Sequence, residues 1–320
     1  MLYLLSLDSY LAPLKRAGNR ALPMMPKTTG RPAMNLSCIR RVATTLFATS
    51  LATIPATAFA QVQSSIRAEI GSALSYSDLA DLSDSATVVA RAEIRKVAAL
   101  KPEQAVGVPA GTTRVYIEAR TSALLAGPAL GESLHYLADV PLDGMGRLPK
   151  LKKTSVLVFA RPVEGRPGEL RLVTPNAQVP WDPATEATTR AILTELVAPG
   201  APPRITGLRE ALHVQGNLVG EGETQLFLAT EGGAPVSLSV VHRPGQPTVW
   251  GVSFSEIVDQ AARPPAPRTL AWYRLACFLP TTLPQSANLS GSPEDQEVAT
   301  DDYALVLRDL GPCGRTGPTR

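Results

Sequence analysis

The chain has 320 residues and carries 31 Lys and Arg against 28 Asp and Glu, a formal charge of +3. Residues 1–60 hold seven of those bases and one of the acids, so residues 61–320 carry 24 bases and 27 acids, a net charge of −3. Beyond its first segment the chain therefore lacks the basic footprint that nucleic-acid binding needs.

Residues 1–33 open on Leu2, Tyr3, Leu4 and Leu5 and continue as a Pro/Lys/Arg-rich stretch without periodicity. They read as a non-native upstream extension, with translation starting at Met34. Residues 34–60 form a secretory signal: Arg40 and Arg41 lead an apolar run from Val42 to Ile54, Pro55 breaks it, and Ala58-Phe59-Ala60 supplies small residues for cleavage before Gln61. The run is shorter than the ~20 residues that span a bilayer, so no transmembrane anchor is expected after processing. Gln61, not cysteine, follows the cleavage site, which gives no support to a lipid anchor. The Ala/Arg/Pro-heavy composition resembles that of a GC-rich bacterium, and the expected destination is the periplasm or the outside of the cell.

Residues 61–320 suit two small domains or one large one. Residues 61–83 read as a linker, with 66–83 a linker or a short helix that carries Leu74, Leu79 and Leu82. An OB-like β domain is expected over 84–180. Its candidate strands are Val88–Ile94, Arg114–Arg120, Leu134–Val140, Val156–Ala160 and Glu169–Val173. In the second, Val115, Ile117 and Ala119 share one face by the period of two. The fourth is an unbroken apolar run, as in a strand covered on both sides. Five strands in so short a span predict a small antiparallel barrel or sandwich.

The Ala-x-Val-Val strand, the long second strand ending in Leu124-Leu125-Ala126-Gly127 and the Val156–Ala160 strand together resemble the tissue-inhibitor/netrin-like OB-fold family over residues 84–175. The resemblance implies the fold. Members of that family that inhibit proteases use an N-terminal cysteine to chelate zinc; this chain has none in the region, so inhibition is not carried over.

An α+β domain is expected over 181–313, a helix followed by an antiparallel meander. Asp182 suits an N-cap and Pro183 a first helical turn, with Ile192, Leu193, Leu196 and Val197 at helical spacing. Gln225–Thr230 and Pro235–Val241 flank a Gly-Gly turn as a hairpin, and Val249–Phe254 continues the meander. Leu270–Leu279 carries aromatics around Cys277. Pro280–Asp302 reads as a polar loop, Tyr303–Leu310 as a last strand, and 314–320 as a disordered tail. Cys38 leaves with the signal. Cys277 and Cys313 remain as an even pair in an exported chain, the mark of a disulfide, with free thiols or a zinc half-site as the alternatives.

Candidate chemistry is sparse. His213, Glu221, Glu223 and His242 lie near strand ends and would form a metal site if the meander converged them; otherwise they are solvent-facing turn residues. Gly251-Val252-Ser253-Phe254-Ser255 misses the Gly-x-Ser-x-Gly elbow at its last position. Arg147, Lys150, Lys152 and Lys153 form a basic loop that reads as a solvated turn or an anion-docking patch. Trp250, Trp272, Tyr273 and Arg274 are either a recognition surface or a core. No cofactor is expected. The expected function is a non-catalytic envelope or secreted binding module with a protein or glycan partner. The alternatives are a metal-dependent or serine-type periplasmic hydrolase and a structural envelope-assembly factor.

Overall fold

The computed structural model describes residues 74–255 and 262–316. The expected upstream extension, the expected signal segment and its expected cleavage residues Ala58, Ala60 and Gln61 lie outside them. Helix α1 (Tyr76–Ser85) starts the described chain, where Ser75 and Asp78 form a reciprocal capping box. Strands β1 (Val88–Ala99), β2 (Thr112–Ala126), β3 (Ser133–Pro141), β4 (Ser155–Pro162), β5 (Leu170–Leu172) and β6 (Gln178–Pro180) follow. They make an antiparallel sheet in the order β3-β2-β1-β4-β5, with β6 also pairing β4.

The period of two shapes this sheet. Val115, Ile117 and Ala119 of β2 are buried while Tyr116 and Arg120 face out. Val156 to Ala160 of β4 and Val88 to Ala90 of β1 are buried without interruption, because that central pair is covered on both faces. Each large apolar side chain buried there, such as Leu157 or Phe159, contributes roughly 1.5–3 kcal/mol. Register shifts between β1 and β2 at Val89/Ala90, Arg91/Ala92 and Ile94/Lys96 bend the sheet. The curl brings β3 to the start of β5: His135 and Glu169 make one parallel bridge, and the His135 amide donates to the Gly168 carbonyl at 2.8 Å. One bridge is not a ladder, so the sheet is not closed.

Helix α2 (Pro183–Val197) follows Trp181 and packs on α1. The Asp182 side chain accepts from the Ala184 and Thr185 amides at its first turn. Strands β7 (Ile205–Gln215), β8 (Gly222–Thr230), β9 (Ser237–His242) and β10 (Val249–Ser253) form the second sheet, an antiparallel meander in the order β10-β9-β8-β7. Helices α3 (Leu270–Ala276) and α4 (Pro293–Leu310) complete the chain, and α4 packs on β7 and β8. Buried apolar residues of both sheets and all four helices join one cluster.

Two expectations are corrected at the C-terminal end. Tyr303–Leu310 is not a strand but the second half of α4, which begins inside the expected polar loop. Ser292 caps it by accepting from the Asp295 amide, Pro293 opens it, and its buried residues Ala299, Asp302, Tyr303, Val306 and Leu310 recur at helical spacing. Gly314–Thr316, expected within a disordered tail, instead lie against α1. Cys277 and Cys313, 36 residues apart, have their sulfurs at the bonding distance of 2.04 Å.

Candidate functional site

Register decides which of the four candidate metal ligands meet. His213 pairs with Thr224 across β7–β8, and His242 pairs with Gly222 across β8–β9. Gly222 and Thr224 are two apart and share a face, so both histidines join Thr224 on the face that α4 covers. Glu223 lies between those two positions and projects to the opposite face. Its carboxylate accepts from the Gln225 amide group, while that of Glu221 accepts from the Asn217 and Leu218 amides at 3.1 and 3.2 Å, closing the β7–β8 loop. The four therefore do not converge, and among the described residues no group of three His, Cys, Asp or Glu side chains is placed to share a metal ion.

What His242 meets directly, and His213 through Thr224, is Asp302 of α4, 2% exposed. Its oxygens accept from the Thr224 hydroxyl at 2.5 Å and from His242 Nε2 at 2.8 and 3.0 Å. Thr224 has one hydroxyl hydrogen and gives it to Asp302, so toward His213 Nδ1, 2.8 Å away, it accepts and that nitrogen donates. By the same counting, His242 donates through Nε2, and its Nδ1 faces the Thr248 hydroxyl at 3.2 Å. The chain His213–Thr224–Asp302–His242–Thr248 pins α4 to three strands of the sheet. Gly222 makes room for it, since a Cβ there would stand 2.8 Å from the His213 ring.

The opposite face of the second sheet carries a cavity of about 400 Å³, lined by Val214, Glu223, Ser239, Val241, Arg243 and Val249 among others. Gly251 floors it: the Ala262 backbone passes so close that a Cβ on residue 251 would fall 2.2 Å from a carbonyl carbon. Gln215, Asn217 and Glu221 stand along one side. Exposed apolar side chains continue outward from it at Val214, Leu218 and Val219.

A second polar cluster lies on α1. Asp78, Asp81 and Asp84 recur every three residues, and α3, Arg204 and residues 315–316 hold them between them. Asp84 receives a two-pronged fork from Arg274, both contacts at 2.8 Å, and the Arg204 Nε at 2.7 Å. Burial pushes its pKa up, but the two guanidiniums outweigh burial and hold it below the usual carboxylate value. Asp81 accepts from Arg315 at 2.6 and 2.9 Å and from the Tyr273 hydroxyl at 2.5 Å. Burial, helped by the Asp81 carboxylate, drives the Tyr273 phenol well above its ordinary pKa. Asp78 accepts from the Thr316 hydroxyl at 2.6 Å as well as from Ser75. These hydrogen bonds hold its pKa below the usual value against the opposing effect of burial.

The aromatic group falls inside the protein. Trp250, Trp272, Tyr273 and Arg274 are all buried. Trp272 donates its indole N–H to the Leu310 carbonyl at 2.8 Å and Trp250 donates to Asp309 at 3.0 Å, both anchoring the end of α4. The four residues serve as core and clasp, and Trp250 is also among the residues that line the cavity. The basic loop stays at the surface between β3 and β4, with Arg147, Lys150, Lys152 and Lys153 exposed. No protein-family model matches the sequence, and no curated protein matches it.

Asp302, Thr224, Thr248 and the acids of α1 escaped the sequence reading. The signal for Asp302 was a carboxylate on the apolar stripe of Ala299, Tyr303 and Val306, visible once that stretch is read as a helix. The signal for α1 was three aspartates at helical spacing beside Leu79 and Leu82.

Proposed function

We propose that this protein is an exported, non-catalytic binding module of the bacterial envelope or the extracellular space, and that the cavity on the outer face of the second sheet takes a hydroxyl-rich glycan. The observation that carries this is the make-up of that cavity. Planar polar side chains (Gln215, Asn217, Glu223 and Arg243) surround the apolar flanks of Val214, Val241 and Val249. Such a mixture suits a ligand with both hydroxyls and C–H faces, and small-ligand sites place a few polar groups in an apolar frame. The segment Met34–Ala60 supports export, as does a cysteine pair at bonding distance. An OB-like first part is supported by the β1-β2-β3 meander, the β1–β4 pairing and the parallel contact between β3 and the start of β5.

The test is a titration of the processed protein with soluble cell-wall and capsular glycan fragments, read by calorimetry. Saturable binding that Arg243→Gln and Glu223→Gln each weaken roughly tenfold is expected, the loss of about one charge-assisted hydrogen bond. Binding that neither variant changes, or no binding to any glycan, would sink the assignment. A protein captured at the same face instead would replace the glycan with a protein partner.

A hydrolase reading has one observation in its favour: Thr248, His242 and Asp302 line up as hydroxyl, imidazole and carboxylate. It requires turnover of ester, peptide or glycan substrates that Thr248→Ala and His242→Ala both abolish. The binding reading expects no such turnover.

A further inference from the structure

The C-terminal residues Cys313–Thr316 cross α1 and hold it from its first turn onward. The Ser77 hydroxyl donates to the Cys313 carbonyl at 2.5 Å and stands 3.4 Å from the Cys277 sulfur. Arg315 grips Asp81 with two nitrogens and also donates to the Cys277 carbonyl at 3.2 Å. Thr316 gives its amide and hydroxyl to Asp78, the residue that already closes the capping box of α1. The disulfide thus lies at the centre of a three-way junction of α1, α3 and the tail. Both cysteines are only partly buried.

Beyond these contacts α1 buries Leu79 and Ala80 and sets Asp84 on Arg274 and Arg204, so the tail acts on its first two turns. It is ten residues long, too short to be stable alone, and its acids at 78 and 81 accept from the tail, from Ser75 and from Tyr273. Without the crosslink, the segment 313–316 would be tied to α1 and α3 by non-covalent contacts alone. The entropy of holding it in place would then fall on Arg315 and Thr316 alone.

We propose that the Cys277–Cys313 disulfide is a redox-sensitive latch on α1. Oxidised, it fixes the tail as a strap and completes the seat of the helix. When a dithiol reduces it, two electrons and two protons convert the disulfide to two thiols and the dithiol to its cyclic disulfide. The strap then lifts, Asp78 and Asp81 lose their tail partners, and α1 opens locally while the two sheets stay folded. The helix that follows the leader is then locked only where disulfides form, which couples its final docking to export.

Hydrogen exchange of the processed protein, with and without dithiothreitol, tests this by comparing peptides over 76–85 with peptides over β1 and β4. The expected result is at least a tenfold loss of protection in α1 on reduction, with the strands unchanged. The pair Cys277→Ser and Cys313→Ser should reproduce that pattern without reductant. Arg315→Gln with the disulfide intact should give a smaller loss confined to α1. Unchanged protection of α1 on reduction would overturn the latch. So would an equal loss throughout the protein, because the disulfide would then be a general staple and not a local one.

Discussion

Asp84 on α1 and Asp302 on α4 are both acids taken out of water, and the protein holds them by different means. Asp84 sits against two guanidiniums, Arg274 in a buried fork and Arg204 from a half-exposed position. Asp302 is held by a threonine hydroxyl and an imidazole nitrogen, within a chain of side chains that crosses three strands. The first arrangement sets permanent charge against charge and ties together elements far apart in sequence. The second uses directional hydrogen bonds and fixes where one helix rests on one sheet. The cavity lies on the other side of that same sheet, so the relay serves it as a rigid backing.

The largest effect should come from breaking the charged cluster. Arg274→Ala strands Asp84 with only a partly solvated partner and should cost about 3–5 kcal/mol in urea unfolding. Arg204→Ala, removing the exposed member, should cost under about 1 kcal/mol; equal losses from the two would erase the distinction between buried and exposed partners. At the relay, Asp302→Ala should cost roughly 1–3 kcal/mol by leaving Thr224 and His242 without their acceptor. Asp302→Asn should cost less, since the amide oxygen still accepts from one of them. A loss at Asp302 larger than that at Arg274 would reverse the comparison.

Acid should separate the two regions further. The Asp84 carboxyl is held below its ordinary range in the folded state, so its contribution is complete above that range. As pH falls through the depressed value the contribution is lost, since the unfolded chain then binds the proton more readily. Thermal unfolding between pH 7 and pH 2 should therefore show a stability loss at the acid end that Asp84→Asn diminishes. The smallest effect belongs to the cavity: Arg243→Ala should change stability by no more than about 0.5 kcal/mol, because this exposed side chain has no ion-pair partner among the described residues.

Much of the strand content was legible because a half-buried strand writes its period of two directly into the chain. Val115, Ile117 and Ala119 sit inward as that alternation requires, and Val156–Ala160 is covered on both sides as its unbroken apolar run implies. The start of α2 was legible for a similar reason, since Asp182 and Pro183 act within one turn. Tyr303–Leu310 misled because so short an apolar piece fits either period. Only the five turns from Pro293, with Ser292 as cap, settle it as helix. The four metal candidates failed on register. Glu223 is one residue from Thr224, and in a strand one residue is the other face.

The sequence alone determined the local matters: alternation, caps, turns and the presence of two cysteines after residue 60. These depend on neighbours within a few residues or on composition. Tertiary structure decided which groups meet. Asp302 reaches His242 across 60 positions and Arg315 reaches Asp81 across 234, contacts that no local pattern encodes. They exist because sheet register and helix docking, driven by the burial of a shared apolar core, carry those side chains to one place.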